Sequence, residues 1–341
     1  MSQTEREKPA GFVPLSELRK PPALGGKELL DAVRGRLDSF TAGLSESEQA
    51  MLVALLSQGT QNPDLAALAA ETPAAVLGPQ EAELFHQLLA APAPEGSGGQ
   101  LRPALAVIMK ATKICNLRCT YCRSWAEGPD QKMTFEVLAR SIHGALSAPG
   151  VTSVEFVWHG GETTLRPVSF YRKALWLQQR FRRPGQKVAN TVQTNGTNLT
   201  AEWLDFLKRY RFSVGVSLDG PPEVHDRRRL DTRGRPTSHR VQQGLRRLQE
   251  HGIRHGVLMV VDDDVIALGA RRLLDYFLEL GVRHVSLLNV VPEGEPERAM
   301  PGDYVALARF VTFLRELFHA WWPEAADRIV FREISDLADR L

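Results

Sequence analysis

The sequence predicts an α/β fold, a partial (β/α)6 barrel of the TIM type preceded by a small all-helical region. Two observations support it. Strand-like apolar runs alternate with helical patterns from residue 104 to residue 334, which is typical of a parallel sheet with crossover helices. Such crossovers are right-handed, and they curl a sheet toward a barrel.

Five segments follow one another along the chain. Residues 1–26 are proline-rich and predict an irregular arm. Residues 27–91 predict a helical domain, since Leu29, Leu30, Val33 and Leu37 recur at helical spacing. Residues 92–103 are rich in Pro, Gly and Ser and predict a linker. The barrel follows at 104–334, and 335–341 forms a tail or the start of an extension.

The barrel contains six predicted strands and six predicted helices. The strands cover Ala104–Ala111, Ser153–Trp158, Lys187–Gln193, Phe212–Leu218, Arg254–Val261 and Arg283–Asn289. The helices cover Thr134–Leu146, Val168–Phe181, Ala201–Tyr210, Ser238–Gly252, Val265–Gly281 and about Gly302–His319. In such folds the chemistry lies at the carboxyl ends of the strands.

Composition excludes several classes of protein. A hydrophobic content of 43% is enough for a buried core, and a net charge of +2 gives no reason to expect nucleic acid as partner. The polar first residues and the short apolar runs predict neither an export signal nor a membrane span, so we expect a cytoplasmic protein. Three cysteines do not make a disulfide scaffold.

The cysteines lie together in the segment Lys113-Ile-Cys-Asn-Leu-Arg-Cys-Thr-Tyr-Cys122, directly after the first strand. Cys115, Cys119 and Cys122 have C-x3-C-x2-C spacing and can reach one inorganic site from a single loop. Zinc prefers four ligands, and the chain has no fourth cysteine. The spacing therefore favours an iron-sulfur cluster, with zinc or unliganded thiols as alternatives.

With Tyr121 before the third cysteine, this motif resembles that of the radical S-adenosylmethionine (radical SAM) enzymes. The resemblance implies a [4Fe-4S] cluster with one iron open to S-adenosylmethionine. It also implies reductive cleavage of that cofactor, by an external one-electron reductant, to a 5'-deoxyadenosyl radical that abstracts hydrogen from the substrate.

Three further motifs follow strands two, three and four in the same order as in that family. Gly160-Gly-Glu162 resembles the segment that receives the amino group of S-adenosylmethionine, although two glycines alone indicate only a turn. Gln193, Thr194 and Asn195 can hydrogen-bond its ribose.

The fourth motif, Ser217-Leu-Asp-Gly-Pro through Arg229, resembles a block of the anaerobic sulfatase-maturase and peptide-maturase branch. The resemblance assigns Ser217 and Arg229 to the carboxylate or ribose of S-adenosylmethionine. It leaves Asp219, His225 and Asp226 as structural or substrate-side residues. In that branch a cysteine-rich extension with auxiliary clusters follows the barrel, whereas this sequence has no cysteine after Cys122.

A catalytic base is predicted only weakly. Asp262 and Glu293 follow strands five and six, where an acidic side chain can take a proton from the substrate, but Asp262 also suits helix capping. Eight arginines between residues 227 and 247 suit either an exposed face or the docking of an acidic peptide.

These patterns predict an enzyme that oxidatively modifies a peptide or protein side chain, with crosslinking of a ribosomally made peptide as the expected reaction. Radical chemistry on a small molecule is the alternative. A zinc-stabilised binding module is the non-enzymatic alternative.

Overall fold

The computed structural model describes residues 62–91, 103–122, 131–289 and 305–338. The predicted arm, the predicted helices before residue 62, most of the predicted linker and Glu293 lie outside these residues.

Within the described residues, seven parallel strands form one sheet in the order β1 to β7. The strands are β1 Ala104–Thr112, β2 Ser153–Gly160, β3 Lys187–Thr194, β4 Ser213–Ser217, β5 His255–Val261, β6 His284–Asn289 and β7 Val330–Phe331. The six predicted strands agree with β1 to β6 to within two residues at either end. The sequence did not predict β7, because two residues are too few to show a pattern. The α/β fold class is confirmed.

Helices connect the strands and precede the sheet. They are α1 Pro63–Ala70, α2 Pro73–Val76, α3 Pro79–Ala90, α4 Phe135–Ser147, α5 Val168–Phe181, α6 Ala201–Arg209, α7 Pro222–Arg228, α8 Ser238–Glu250, α9 Asp263–Leu268, α10 Ala270–Glu279, α11 Leu307–Ala325 and α12 Arg332–Ala338.

The prediction of one helix over Val265–Gly281 is wrong. Gly269 adopts a φ of +86° between α9 and α10, a conformation that glycine reaches without steric cost, and it ends the first helix. The short helix α7 was also missed, because it lies inside the fourth motif.

Aromatic side chains fill the layer between the sheet and its helices. Trp158 on β2 is fully buried and meets Tyr171 on α5 edge to face at 5.2 Å. Tyr171 in turn meets Trp203 on α6 at 5.0 Å. The indole nitrogen of Trp158 donates to Asn190 Oδ1 on β3 at 2.9 Å, so this buried donor is satisfied. This layer fixes the ends of β2 and β3, where two of the motifs begin.

The helices α1 and α3 pack against α5 within the compact unit that includes the sheet. Phe85 on α3 lies edge to face with Trp176 on α5, with ring centroids 4.7 Å apart. Glu71 forms an ion pair with Arg172 on the same helix. The domain boundary at 92–103 stays a prediction.

No helix in the described part of the chain combines the length and the hydropathy that crossing a membrane requires.

Candidate functional site

The four motifs occupy the loops at the carboxyl ends of β1 to β4, as parallel topology requires. The cysteine loop runs from Thr112 to Cys122 and contains three cysteines outside any disulfide, of which Cys119 is buried.

Backbone hydrogen bonds hold the cysteine loop on two sides. On one side, Gly161 N donates to Thr112 O at 2.6 Å and Glu162 N donates to Ile114 O at 2.8 Å. On the other side, Arg118 N donates to Leu230 O at 2.7 Å and Thr120 N donates to Arg228 O at 3.0 Å. The second and fourth motifs therefore form opposite walls of this loop.

The two glycines of the second motif are required by this contact. A Cβ atom on Gly160 would lie 2.4 Å from Thr112 O, and one on Gly161 would lie 2.2 Å from Ile114 O. Both obstacles are backbone atoms, which cannot rotate away. The two glycines thus allow the backbone of the second motif to lie close to the backbone of the cysteine loop.

Glu162 is fully buried and forms the centre of a group that we call the Glu162 network, comprising Glu162, Thr164, Thr194 and Asn195. Its Oε1 accepts from Thr164 N at 2.9 Å, from Thr164 Oγ1 at 2.6 Å and from Thr194 Oγ1 at 2.7 Å. Its Oε2 accepts from Asn195 N at 2.7 Å. The carboxylate thus joins the second motif to the third through neutral donors.

Asn195 connects this network to the cysteine loop. Its Nδ2 donates to Asn116 Oδ1 at 2.8 Å and lies 4.0 Å from Cys115 Sγ. Leu117 N donates to the same sulfur at 3.4 Å. Asn116 was not singled out from the sequence. Its place between Cys115 and Cys119 was the signal available.

Gln193 and Ser217 meet between β3 and β4. Gln193 Nε2 donates to Ser217 Oγ at 2.9 Å, and its side chain crosses Gly215, where a Cβ atom would lie 2.1 Å from Gln193 Oε1. The structure therefore places these two predicted cofactor-binding residues together.

A second group, which we call the Asp219 network, comprises Asp219, Tyr121, Arg229 and the backbone N–H of Val260. Asp219 Oδ2 accepts from Tyr121 Oη at 2.6 Å and from Arg229 Nε at 2.7 Å. Asp219 Oδ1 accepts from Arg229 Nη2 at 3.1 Å and from Val260 N at 3.0 Å. This carboxylate thus joins the first, fourth and fifth strand ends.

Charge distinguishes this network. Burial alone would raise the pKa of Asp219, but the Arg229 guanidinium outweighs it and lowers that pKa. Burial would likewise lower the pKa of Arg229, and Asp219 raises it well above the ordinary value. Both side chains are therefore ionised in a buried environment. Arg229 Nη1 also lies 4.0 Å from Cys119 Sγ.

His225 and Asp226 have structural partners. Asp219 N donates to His225 Nδ1 at 3.2 Å, and burial lowers the pKa of His225 to about 4. Asp226 accepts from Thr237 N and Ser238 N at the start of α8. Both side chains therefore have hydrogen-bond partners within the chain, which favours the structural role of the two left open.

The weak candidate base Asp262 is the N-cap of α9, where it accepts from Val265 N at 2.9 Å. Its other oxygen lies 2.9 Å from Arg228 Nε. Burial raises its pKa above the ordinary value. The role as base stays a prediction, for Asp262 as for Glu293.

The arginine-rich segment folds onto the chain's own carboxylates. Five of the eight arginines form ion pairs with aspartates in the part of the chain that is described, namely Arg227, Arg228, Arg229, Arg235 and Arg240. Asp231 forms ion pairs with two of them, Arg235 and Arg240. The pKa of Asp231 is lowered to about 2, mainly by the hydrogen bond from the backbone N–H of Arg235. Much of the charge predicted for peptide docking is thus compensated within the chain.

The donor chemistry of the cysteine loop fits an iron-sulfur cluster. Three thiols share one loop, and N–H groups lie against Cys115 and Cys119, as is typical of cluster ligands. Among the described residues, no three His, Cys, Asp or Glu side chains are grouped to hold a single metal ion. A four-iron cluster binds each thiolate through a different iron, so its ligands need not converge on one point.

A family model agrees with this arrangement. Residues 109–265 match the model of the Radical SAM superfamily, somewhat under half of the chain. The matched segment begins on β1 and ends in α9, and it contains all four motifs. This part of the chain is therefore a radical SAM domain, and the resemblance inferred from the motifs is confirmed.

Individual relatives point to one branch. A serine-type anaerobic sulfatase-maturating enzyme of Bacteroides thetaiotaomicron is 39% identical over 168 residues, 48% of this chain and 40% of the relative. A cysteine-type enzyme of Clostridium perfringens is 30% identical over 230 residues, 65% of this chain and 61% of the relative.

Among solved structures, native anSMEcpe with bound AdoMet and Cp18Cys peptide matches with a TM-score of 0.63 and 27% identity. The match covers 70% of this chain and 66% of that one. The chain thus spans about 40% to 66% of the length of these relatives.

Proposed function

We propose that this chain is a radical SAM enzyme that modifies a side chain of a peptide or protein. The observation that carries the proposal is that two buried carboxylates join the cysteine loop to the loops of the other three motifs. One carboxylate, Glu162, reaches Cys115 through Asn195. The other, Asp219, reaches Cys119 through Arg229.

The cysteines Cys115, Cys119 and Cys122 would hold a [4Fe-4S] cluster, and the neighbouring strand ends would hold S-adenosylmethionine. The bound pair would supply one-electron cleavage of the sulfonium and abstraction of hydrogen from the substrate. The chain's own residues do the positioning. Gly160 and Gly161 admit the cysteine loop, while Gln193, Ser217 and Tyr121 line the adjacent strand ends.

Two features of this set bear on how S-adenosylmethionine is held. Glu162 Oε1 accepts three of the hydrogen bonds described above, whereas Oε2 accepts one, from Asn195 N, so we propose that Oε2 receives the cofactor's amino group, as the resemblance implies. Arg229 uses three of its five N–H groups on Asp219 and Cys119, which leaves two for a carboxylate.

The substrate class rests on the relatives. Two are named as sulfatase-maturating enzymes, and the solved structure contains a bound peptide. By extension we propose a peptide or protein substrate here, with crosslink formation as the expected reaction and an external one-electron reductant.

Anaerobic reconstitution tests the cofactor assignment. We expect about four iron and four sulfide per chain, and cleavage of S-adenosylmethionine on reduction. Cys119→Ala should lose both properties, whereas Arg235→Met, which changes an exposed side chain of the same site region, should keep both. Stoichiometric zinc in place of iron would contradict the proposal.

Mass spectrometry tests the substrate assignment. A short peptide encoded beside the gene and co-expressed with the enzyme should lose the mass of about two hydrogen atoms. No mass change, together with turnover of a small molecule, would overturn the peptide assignment and leave the cofactor assignment intact.

A further inference from the structure

The two thiols with side-chain contacts have different electrical surroundings. Cys115 has the neutral Asn195 amide and the Leu117 N–H at its sulfur. Cys119 has the Arg229 guanidinium, whose Nη1 lies 4.0 Å from Sγ. Of these three contacts, only that of Arg229 with Cys119 brings a formal charge to the sulfur.

The Asp219 carboxylate compensates the charge of Arg229, because its two oxygens accept hydrogen bonds from the guanidinium at 2.7 and 3.1 Å. Asp219 is 2% exposed, Arg229 8% and Cys119 6%. Water therefore screens their mutual interaction weakly, and each charge acts at the sulfur with an effective dielectric constant well below that of water.

The two charges act on Cys119 in opposite directions. Arg229 is a cation 4.0 Å from Cys119 Sγ, and Asp219, which binds that cation, is an anion, so their fields at the sulfur have opposite signs. A cation near a ligand sulfur favours the more negative state of the ligand, and an anion opposes it. The same fields apply to an electron added to a cluster at this sulfur.

We propose that the Asp219–Arg229 pair sets the reduction potential of the cluster, with Arg229 raising the potential and Asp219 holding it down. The proposal rests on the proposed function, since it needs a cluster on Cys119. Asp219 acts through Arg229 and through its charge, so it is a positioning residue and not a catalytic one. Tyr121 and Val260 N fix the carboxylate in place.

The midpoint potential of the reconstituted cluster tests the proposal. It is measured without S-adenosylmethionine, by titration with dithionite and redox mediators and detection of the reduced cluster by electron paramagnetic resonance. The variants are Asp219→Asn, Arg229→Met, the double variant, and Arg235→Met as a control that removes the charge of an exposed side chain while Asp231 keeps Arg240 as partner.

Opposite shifts are expected from the two members of the pair. Asp219→Asn leaves the cation uncompensated and raises the potential. Arg229→Met leaves the anion uncompensated and lowers it. The double variant removes both charges and returns close to the wild-type value, and Arg235→Met stays at that value. If one single variant does not take up iron, the other single variant and the double variant still decide the sign.

Shifts of the same sign in both single variants, or shifts no larger than that of Arg235→Met, would overturn the proposal. A wild-type chain that assembles no iron-sulfur cluster would instead overturn the proposed function. The two failures are therefore distinguishable.

Discussion

The Glu162 network and the Asp219 network both join the motif loops, but they differ in the charge of the groups that donate to the carboxylate. Each has a buried carboxylate that accepts four hydrogen bonds and ties together loops that follow different strands. The donors to Glu162 are hydroxyl and backbone groups, whereas two of the donors to Asp219 belong to a guanidinium. The first network therefore fixes geometry, and the second fixes geometry and charge together.

This difference predicts how each network fails. A buried anion with neutral donors loses hydrogen bonds when it is changed, while a buried ion pair that loses one member leaves a charge without compensation. Four experiments sharpen or break the comparison.

The largest effect should come from Asp219→Asn, which leaves the Arg229 cation without its counter-charge. We expect it to lower the free energy of unfolding by about 4 kcal/mol. Glu162→Gln should lower it by about 2 kcal/mol, because the new amide NH2 would face the N–H of Asn195 and the hydrogen bond between them would be lost. Urea unfolding of the iron-free proteins measures both. A larger loss for Glu162→Gln would contradict the charge-based distinction.

The next effect concerns His225, which connects the Asp219 backbone to Thr237. Its pKa is lowered from 6.5 to about 4 because burial disfavours the charged ring. The unfolded chain therefore binds a proton that the folded chain does not, and stability falls as the pH drops from 6.5 to 4. This contribution amounts to about 3 kcal/mol.

His225→Asn, which retains an acceptor for the Asp219 N–H, should remove that part of the pH dependence. Urea unfolding across pH 4 to 7 measures the difference from wild type. His239→Asn, at an exposed position on α8, is the control and should keep the wild-type slope. An unchanged slope in His225→Asn would show that the ring is not held neutral.

A smaller loss is expected where the cysteine loop meets the second motif. Gly161→Ala would place a Cβ atom 2.2 Å from Ile114 O, a backbone atom, and should cost about 2 kcal/mol and reduce iron uptake. Gly215→Ala is matched, since its Cβ atom would lie 2.1 Å from Gln193 Oε1. That obstacle is the end of a flexible side chain, so iron uptake should persist. Equal losses in both variants would contradict this explanation.

The smallest effect should come from the exposed part of the arginine-rich segment. Arg235→Met breaks an ion pair with Asp231 in which the Arg235 side chain is 63% exposed. We expect a change below about 0.5 kcal/mol, and less in high salt, because the Arg235 guanidinium is exposed to solvent and Asp231 keeps Arg240 as partner. A larger change would mean that charge at this position matters as much as within the Asp219 network.

Much of the fold was predictable from local pattern. The strands β1 to β6 are recognisable in the sequence as apolar runs bounded by turn residues. The four motifs follow the carboxyl ends of β1 to β4. The division of one predicted helix at Gly269 and the short strand β7 were not predictable, because a single glycine and two residues give no period.

The site was predictable in composition but not in its connections. The cysteines and the Gly-Gly-Glu segment are recognisable by their spacing. The role of Asp219 depends on hydrogen bonds from Tyr121 and Val260, which lie 98 and 41 residues away in the chain. The contact of Glu162 with the cofactor stays a prediction, and its hydrogen bonds from Thr164, Thr194 and Asn195 were not predicted. Nothing in the local sequence records such long-range pairing.

The wall that the fourth motif contributes to the cysteine loop has a consequence for biosynthesis. Arg229, which contacts Cys119, follows it by 110 residues, and Leu230 bonds to the backbone of Arg118. At translation rates of about 5 to 20 residues per second, the ribosome adds that stretch in roughly 5 to 20 seconds. Until then the nascent cysteine loop lacks one of its two walls, so its thiols are synthesised well before the residues that cover Cys119.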